Sequence, residues 1–132
     1  MITVITPTYN RCKELHVLYE SLCAQTSQNF VWMVIDDGSK DDTKEYLSQL
    51  MEIAPFAMEF FSKENGGKHT ALNFAFDRLQ TDLFFVVDSD DYLTPDAIQM
   101  IEEYFKKYQK QNIGGFVFLR GYSLTQPVTE KF

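Results

Sequence analysis

Four apolar runs, separated by segments with helical spacing, restrict this chain to one kind of layered architecture. Ile2 to Thr6, Phe30 to Ile35, the weaker Ala57 to Phe61, and Leu83 to Val87 are hydrophobic stretches rather than apolar–polar alternations. A strand with one wet face alternates, whereas a strand covered on both faces does not, and covered strands are typical of parallel sheets. The intervening segments carry the 3.6-residue signature. Arg11 to Ala24 places Leu15, Leu18 and Leu22 on one face. Asp42-x-x-Glu45 has the form of a capping box, opening a helix with Tyr46, Leu47, Leu50 and Met51 together. After Asn65-Gly66-Gly67 a helix turns Leu72, Ala75, Phe76 and Leu79 inward. Pro95, at a first helical position, precedes a helix burying Ala97, Ile101, Tyr104, Phe105 and Tyr108, and Gly114-Gly115 breaks to a fifth strand, Phe116 to Leu119. The expected fold is α/β, a mostly parallel sheet with helices on both faces, in a single domain over residues 1–132.

Composition removes several classes of function. With 45% hydrophobic and 15% aromatic residues, the chain has enough apolar surface for a packed core. A net charge of -7 argues against a nucleic-acid partner, because phosphate contacts need clustered Lys and Arg. Lys106, Lys107 and Lys110 read as a solvated helix face. Cys12 and Cys23 sit about three turns apart on one expected helix, too far for a disulfide, and lack the spacing of a zinc site. A reducing, cytoplasmic setting fits them. The first residues form a strand rather than a signal peptide, and no stretch approaches the roughly 20 apolar residues of a membrane span.

In open parallel sheets, ligands bind outside the carboxyl ends of the strands. Each of the first four strands is followed there by a polar cluster: Pro7-Thr8-Tyr9-Asn10-Arg11, Asp36-Asp37-Gly38-Ser39, Asn65-Gly66-Gly67-Lys68 and Asp88-Ser89-Asp90-Asp91. The last is the most demanding. Three acids close the most hydrophobic strand, and like charges so close repel unless a cation or solvent answers them. The first strand lacks the Gly-x-Gly-x-x-Gly of a dinucleotide site, and it ends without the carboxylate a phosphoryl-accepting domain would need.

"ITPTYNR" (5–11), "IDDGSKDDT" (35–43), "NGGKHTALN" (65–73) and "DSDDYLTPD" (88–96) resemble, in order and spacing, the motifs of family-two glycosyltransferases of GT-A fold. The resemblance covers nearly the whole chain. It implies a Rossmann-like GT-A half and transfer of a sugar, with inversion, from a nucleotide-diphosphate donor, a UDP-sugar in the first place, to a saccharide or lipid-linked acceptor. It also implies a place in cell-surface polysaccharide synthesis, at the inner face of a membrane through other segments.

By the same resemblance, Thr6, Pro7, Tyr9, Asn10 and Arg11 line the donor site, with Tyr9 stacking on the base. Asp37 aligns with the acid that reads the base edge; a carboxylate only accepts hydrogen bonds, so it selects a base with a donor there. Asp36 shapes the loop. Lys68, with the amides around Gly66 and Gly67, opens a helix whose positive end suits phosphate, and Asn73 and Ser89 join the donor-contacting set. Asp88 and Asp90, two apart on an extended segment, project the same way and suit Mn²⁺ or Mg²⁺, while Asp91 faces oppositely as a cap before Pro95. His16 and His69 read as surface or packing residues and Trp32 as core.

One departure matters. In the family the catalytic base, usually a carboxylate, lies on later strands; here "GYSLTQPVTEKF" offers only Glu130, without context, so the base is unassigned. The chain is expected to be a donor-binding part of a longer enzyme. Two alternatives stand beside that expectation: a non-catalytic nucleotide-sugar-binding module, and a related nucleotidyltransferase, which would need more basic residues after the first strand than Arg11.

Overall fold

Each of the four apolar runs becomes a strand, and each helical segment a helix, in the order β1 (Ile2–Thr8), α1 (Cys12–Cys23), β2 (Phe30–Asp36), α2 (Thr43–Ile53), β3 (Ala57–Ser62), α3 (Lys68–Phe76), β4 (Leu83–Val86) and α4 (Ala97–Tyr108). The structure is a computed structural model and describes residues 1–108, 121–123 and 126–127. The chain divides into two compact units, Met1–Gln99 and Met100–Phe132. In the second, β5 (Gly121–Ser123) pairs antiparallel with β6 (Gln126–Pro127). The expected strand Phe116 to Leu119 lies outside the described residues.

In the first unit the four strands form one parallel sheet in the order β3-β2-β1-β4. Parallel crossovers are right-handed, so stepping from β1 to β2 to β3 puts α1 and α2 on one face, and returning to β4 puts α3 on the other. The contacts agree. Tyr19 of α1 meets Trp32 of β2 with ring centroids 6.3 Å apart, and His16 Nδ1 lies 2.7 Å from the Tyr46 hydroxyl of α2. On the opposite face Ala71 and Ala75 of α3 pack with Ile5, Met33 and Ile35. The small alanines let the helix approach the sheet closely. Both faces are therefore covered, and β1 and β2 are buried along nearly their whole length.

The first apolar run, Ile2 to Thr6, extends as a strand through Pro7 to Thr8. Alternate residues of a strand bond to alternate sides. Thr8 accepts from Asp37 N–H toward β2, while Ile5 accepts from Val87 N–H toward β4. Pro7 shares the Ile5 side, so its missing N–H faces β4, and the β1–β4 register ends at Ile5↔Val86. The next rung would need a donor that proline lacks. The two strands part there, at the point where the strand order reverses.

Several local expectations are corrected. The capping box does not form: Asp42 makes no side-chain cap, and Asp41 Oδ1 accepts the Thr43 N–H at 3.0 Å together with the Thr43 hydroxyl. Burial pushes the Asp41 carboxyl up, but the Thr43 hydroxyl and N–H and the Cys12 N–H outweigh it and hold it below its usual range. One acid thus closes the starts of both α1 and α2. Phe76 is 41% exposed and meets Phe84 of β4 at 5.2 Å, while Phe74 packs at the core margin instead. Met51 and Tyr104 are also exposed, and Pro95 and Asp96 form a turn before α4 rather than its first residues. Among the described residues no helix is long and apolar enough to cross a membrane.

Candidate functional site

Because the sheet is parallel, the loops 9–11, 37–42, 63–67 and 87–96 leave the same edge. Asp36, at the end of β2, is buried and accepts the Ser39 N–H at 3.1 Å as well as the Ser39 hydroxyl, so it shapes the loop as expected. Asn10 stands in the left-handed region with φ 52°. Its N–H donates to Ser39 Oγ at 2.9 Å and its Oδ1 accepts the Lys40 N–H at 2.8 Å. Asn10 therefore braces the first loop against the second. Tyr9 stands exposed beside it, and Arg11 is exposed with Glu14 at 4.0 Å.

Asp37 is the most heavily engaged side chain at this edge. Its Oδ1 accepts from Lys63 Nζ at 2.8 Å and Gly66 N–H at 3.0 Å, and its Oδ2 from Gly67 N–H at 2.8 Å. Asn65 Nδ2 donates to the Asp37 carbonyl at 2.9 Å and reaches Oδ2 only at 3.4 Å. Burial alone would raise this carboxyl, but Lys63 and the two amides outweigh it and hold it below its usual range. The amides of Gly66 and Gly67 were expected to bind phosphate. They are instead taken up by Asp37, which occupies the anion position at the start of α3. Gly67, with φ 98°, thus serves the loop and not a ligand through its N–H.

Thr6 is also corrected as a donor contact. It is fully buried, and its Oγ1 accepts the Trp32 indole N–H at 2.9 Å, so its side chain belongs to the core. Pro7 lines the parting of β1 and β4. Thr8, which sequence reasoning passed over, is buried with an Oγ1 that has no hydrogen-bond partner among the described residues.

At the end of β4 the backbone is not extended. Asp91 N–H donates to the Asp88 carbonyl at 3.0 Å, closing a tight turn through Ser89 and Asp90. The expectation that Asp91 faces away is therefore overturned: oxygen atoms of Asp88, Asp90 and Asp91 all lie within 4.8 Å of one another. Ser89 is buried inside the turn. Lys68, in the first turn of α3, sets its Nζ 2.5 Å from Asp88 Oδ1, and Asn73 lies exposed further along that helix. Three close carboxylates are hard oxygen donors of the kind that hold Mg²⁺ or Mn²⁺ through few protein ligands, so the donor set fits such an ion. The structure brings Pro7, Tyr9, Asp37, Lys68, Asp88, Asp90 and Asp91 to one edge. Sequence reasoning missed Lys63, whose only signal was a lysine two residues before Asn65-Gly66-Gly67.

The parallel sheet with helices on both faces is a Rossmann-like α/β fold of the GT-A class. The sequence profile of glycosyl transferase family 2 matches residues 3–131, and the chain belongs to that family. Over 105 residues it is 31% identical to the uncharacterized glycosyltransferase alr2836 of Nostoc sp., covering 80% of this chain and 33% of the relative. The chain thus spans about a third of that relative's length. Staphylococcus aureus TarS 1–349, solved in complex with UDP, superposes with TM-score 0.75 and 25% identity over 82% of this chain and 32% of its own. The mannosyltransferase PcManGT of Pyrobaculum calidifontis, in complex with GDP-Man and Mn²⁺, matches in fold with TM-score 0.72 and 24% identity over 79% of this chain and 32% of its own.

Proposed function

We propose that this chain binds the nucleotide diphosphate of a sugar donor, a UDP-sugar in the first place, at the edge where β1 and β4 part. It would do so as the donor half of a metal-dependent, inverting glycosyltransferase acting on a saccharide or lipid-linked acceptor. One observation carries the reading: three carboxylates converge within 4.8 Å at a ligand-binding edge and are already answered by the Lys68 ammonium. Converging like charge is unfavourable unless a cation is part of the working state. Asp88, Asp90 and Asp91 would hold Mn²⁺ or Mg²⁺, which when bound stabilises charge on the departing nucleotide diphosphate.

The chain's own groups do the rest. Lys68 brings a second positive charge to the phosphates from the first turn of α3. Tyr9, 43% exposed at the lip, offers a ring face to the base. Asp37 Oδ2, whose second acceptor direction holds only the long 3.4 Å contact from Asn65, accepts an imide N–H. The UDP complex of TarS and the GDP-Man and Mn²⁺ complex of PcManGT support this class of donor and cofactor.

Titration calorimetry of UDP with and without Mn²⁺ tests it. Binding should require the ion, and both Asp90→Asn and Asp91→Asn should weaken it about tenfold or more, as expected for losing a charged ligand interaction. Equal affinity in excess chelator would remove the metal from the site.

A further inference from the structure

Lys63 follows the last residue of β3, in a stretch, Lys63-Glu64-Asn65, that reads as a solvated loop. The structure makes it a hub. Its side chain is only 16% exposed, against 6% for Asp37. An ammonium has three hydrogens, and all three are matched: Asp37 Oδ1 at 2.8 Å, the Glu64 carbonyl at 2.6 Å and Thr70 Oγ1 at 2.9 Å. Thr70 in turn donates to the Gly67 carbonyl at 2.7 Å. A single cation therefore ties the end of β2, the loop before α3 and the first turn of α3 together.

The packing around this hub leaves little room for alternatives. A Cβ on Gly66 would stand 2.8 Å from Thr70 Oγ1 and 3.3 Å from Lys63 Nζ, and one on Gly38 would stand 2.9 Å from the Asn65 nitrogen. Both glycines are required by the closeness of the network. Of the other titratable groups on these loops, Asp36 is bonded to Ser39, Glu64 is exposed, and the exposed His69 ring lies beside Gly67, where a Cβ would stand 3.2 Å from its Nδ1.

The two oxygens of Asp37 are consequently not equivalent. Oδ1 is saturated by Lys63 and Gly66, whereas Oδ2 holds Gly67 firmly and Asn65 only loosely. We propose that Lys63 is a specificity-determining positioning residue: by fixing Oδ1 it presents Oδ2 as a charged, acceptor-only group, so that the site prefers a base with an N–H donor on its edge. This rests on the assignment of the base to Asp37 made above. Without Lys63 the carboxyl keeps its two amide donors but loses its counter-charge in a buried setting. It then becomes able to carry a proton, and a protonated carboxyl can donate to a base whose edge offers an acceptor.

The discriminating pair of ligands is UDP and CDP, which differ at this edge as donor and acceptor. Calorimetry with Mn²⁺ should give a UDP preference in the unaltered chain that stays flat from pH 5 to 8. Lys63→Met should weaken UDP about tenfold or more and reduce the preference, with CDP gaining relative affinity as the pH falls. Lys63→Arg, which restores the charge, should return the flat profile. Thr70→Val, removing one of the three partners of Lys63 while leaving its charge, should lower the preference by a smaller factor, and it carries the test if Lys63→Met does not fold. A UDP preference that stays within twofold of the unaltered chain and pH-independent in Lys63→Met, or in Thr70→Val where that variant is used, overturns the proposal while leaving the donor site intact. Absence of UDP binding, or of any preference, in the unaltered chain overturns the donor assignment and this proposal with it.

Discussion

Gln25 gives the sharpest test of how the acidic turn is held. It is 5% exposed at the end of α1, and its amide makes three bonds. Nε2 donates to the Ser21 carbonyl at 3.0 Å and the Thr94 carbonyl at 2.8 Å, and Oε1 accepts the Ile98 N–H at 3.0 Å. Ile98 lies in the first turn of α4, where an N–H has no helical partner. Truncation to alanine would orphan that donor at about 2 kcal/mol, and the remaining lost bonds bring the total to about 3 kcal/mol. The Thr94 carbonyl keeps the Ala97 N–H, which prevents a larger loss. The expected fall in Tm is on the order of 10 °C, measured by calorimetry or circular dichroism. Gln25→Glu keeps the acceptor but forfeits both donated bonds and buries a charge. It should be at least as damaging at pH 7 and recover part of the loss on acidification, as the carboxyl takes up a proton. Because the segment 91–98 carries the turn of Asp88 to Asp91, Gln25→Ala should also weaken Mn²⁺-dependent nucleotide binding. A variant within about 0.5 kcal/mol of the parent, the ordinary range for surface changes, would refute the role given to this amide.

Two further outcomes follow from the geometry. Asp37 and Asp41 both have native carboxyls lowered from the ordinary value of 3.8, so their contribution is complete above about pH 4 and drains away as the pH falls through the lower native values; denaturation midpoints of Asp37→Asn and the parent should converge at strongly acid pH. Gly38→Ala combines φ 79° with a Cβ 2.9 Å from the Asn65 nitrogen and 3.3 Å from the Lys63 carbonyl. Urea titration should find it more than about 2 kcal/mol less stable, beyond the roughly 1–2 kcal/mol that the backbone conformation alone costs.

The sheet was legible because its signal is local and repeated: apolar runs such as Phe30 to Ile35 have no other economical home than a covered strand. The edge carrying the site followed from topology once the strands were parallel. What stayed hidden was tertiary. Nothing near Lys63 in sequence reveals that its partner lies 26 positions earlier in the loop after β2, nor that Asp37 would take the amides of Gly66 and Gly67. Asp91 was misplaced for a different reason. The two-residue periodicity of an extended segment was carried past Val86, where the chain had already turned. At the start of α2, Asp41 and Asp42 are both plausible caps by type, and only their backbone geometry separates them.

Where β1 and β4 part, Pro7 withholds the amide proton that a further rung would need, and the turn of Asp88 to Asp91 carries β4 away. Cleft width here is thus written into covalent structure, and no side chain has to swing aside to open it. A substitution such as Pro7→Ala would restore a donor without adding bulk, so the two strands could zip one rung further. The residue would act as a stop on a zipper, felt most by whatever must fit between the strands.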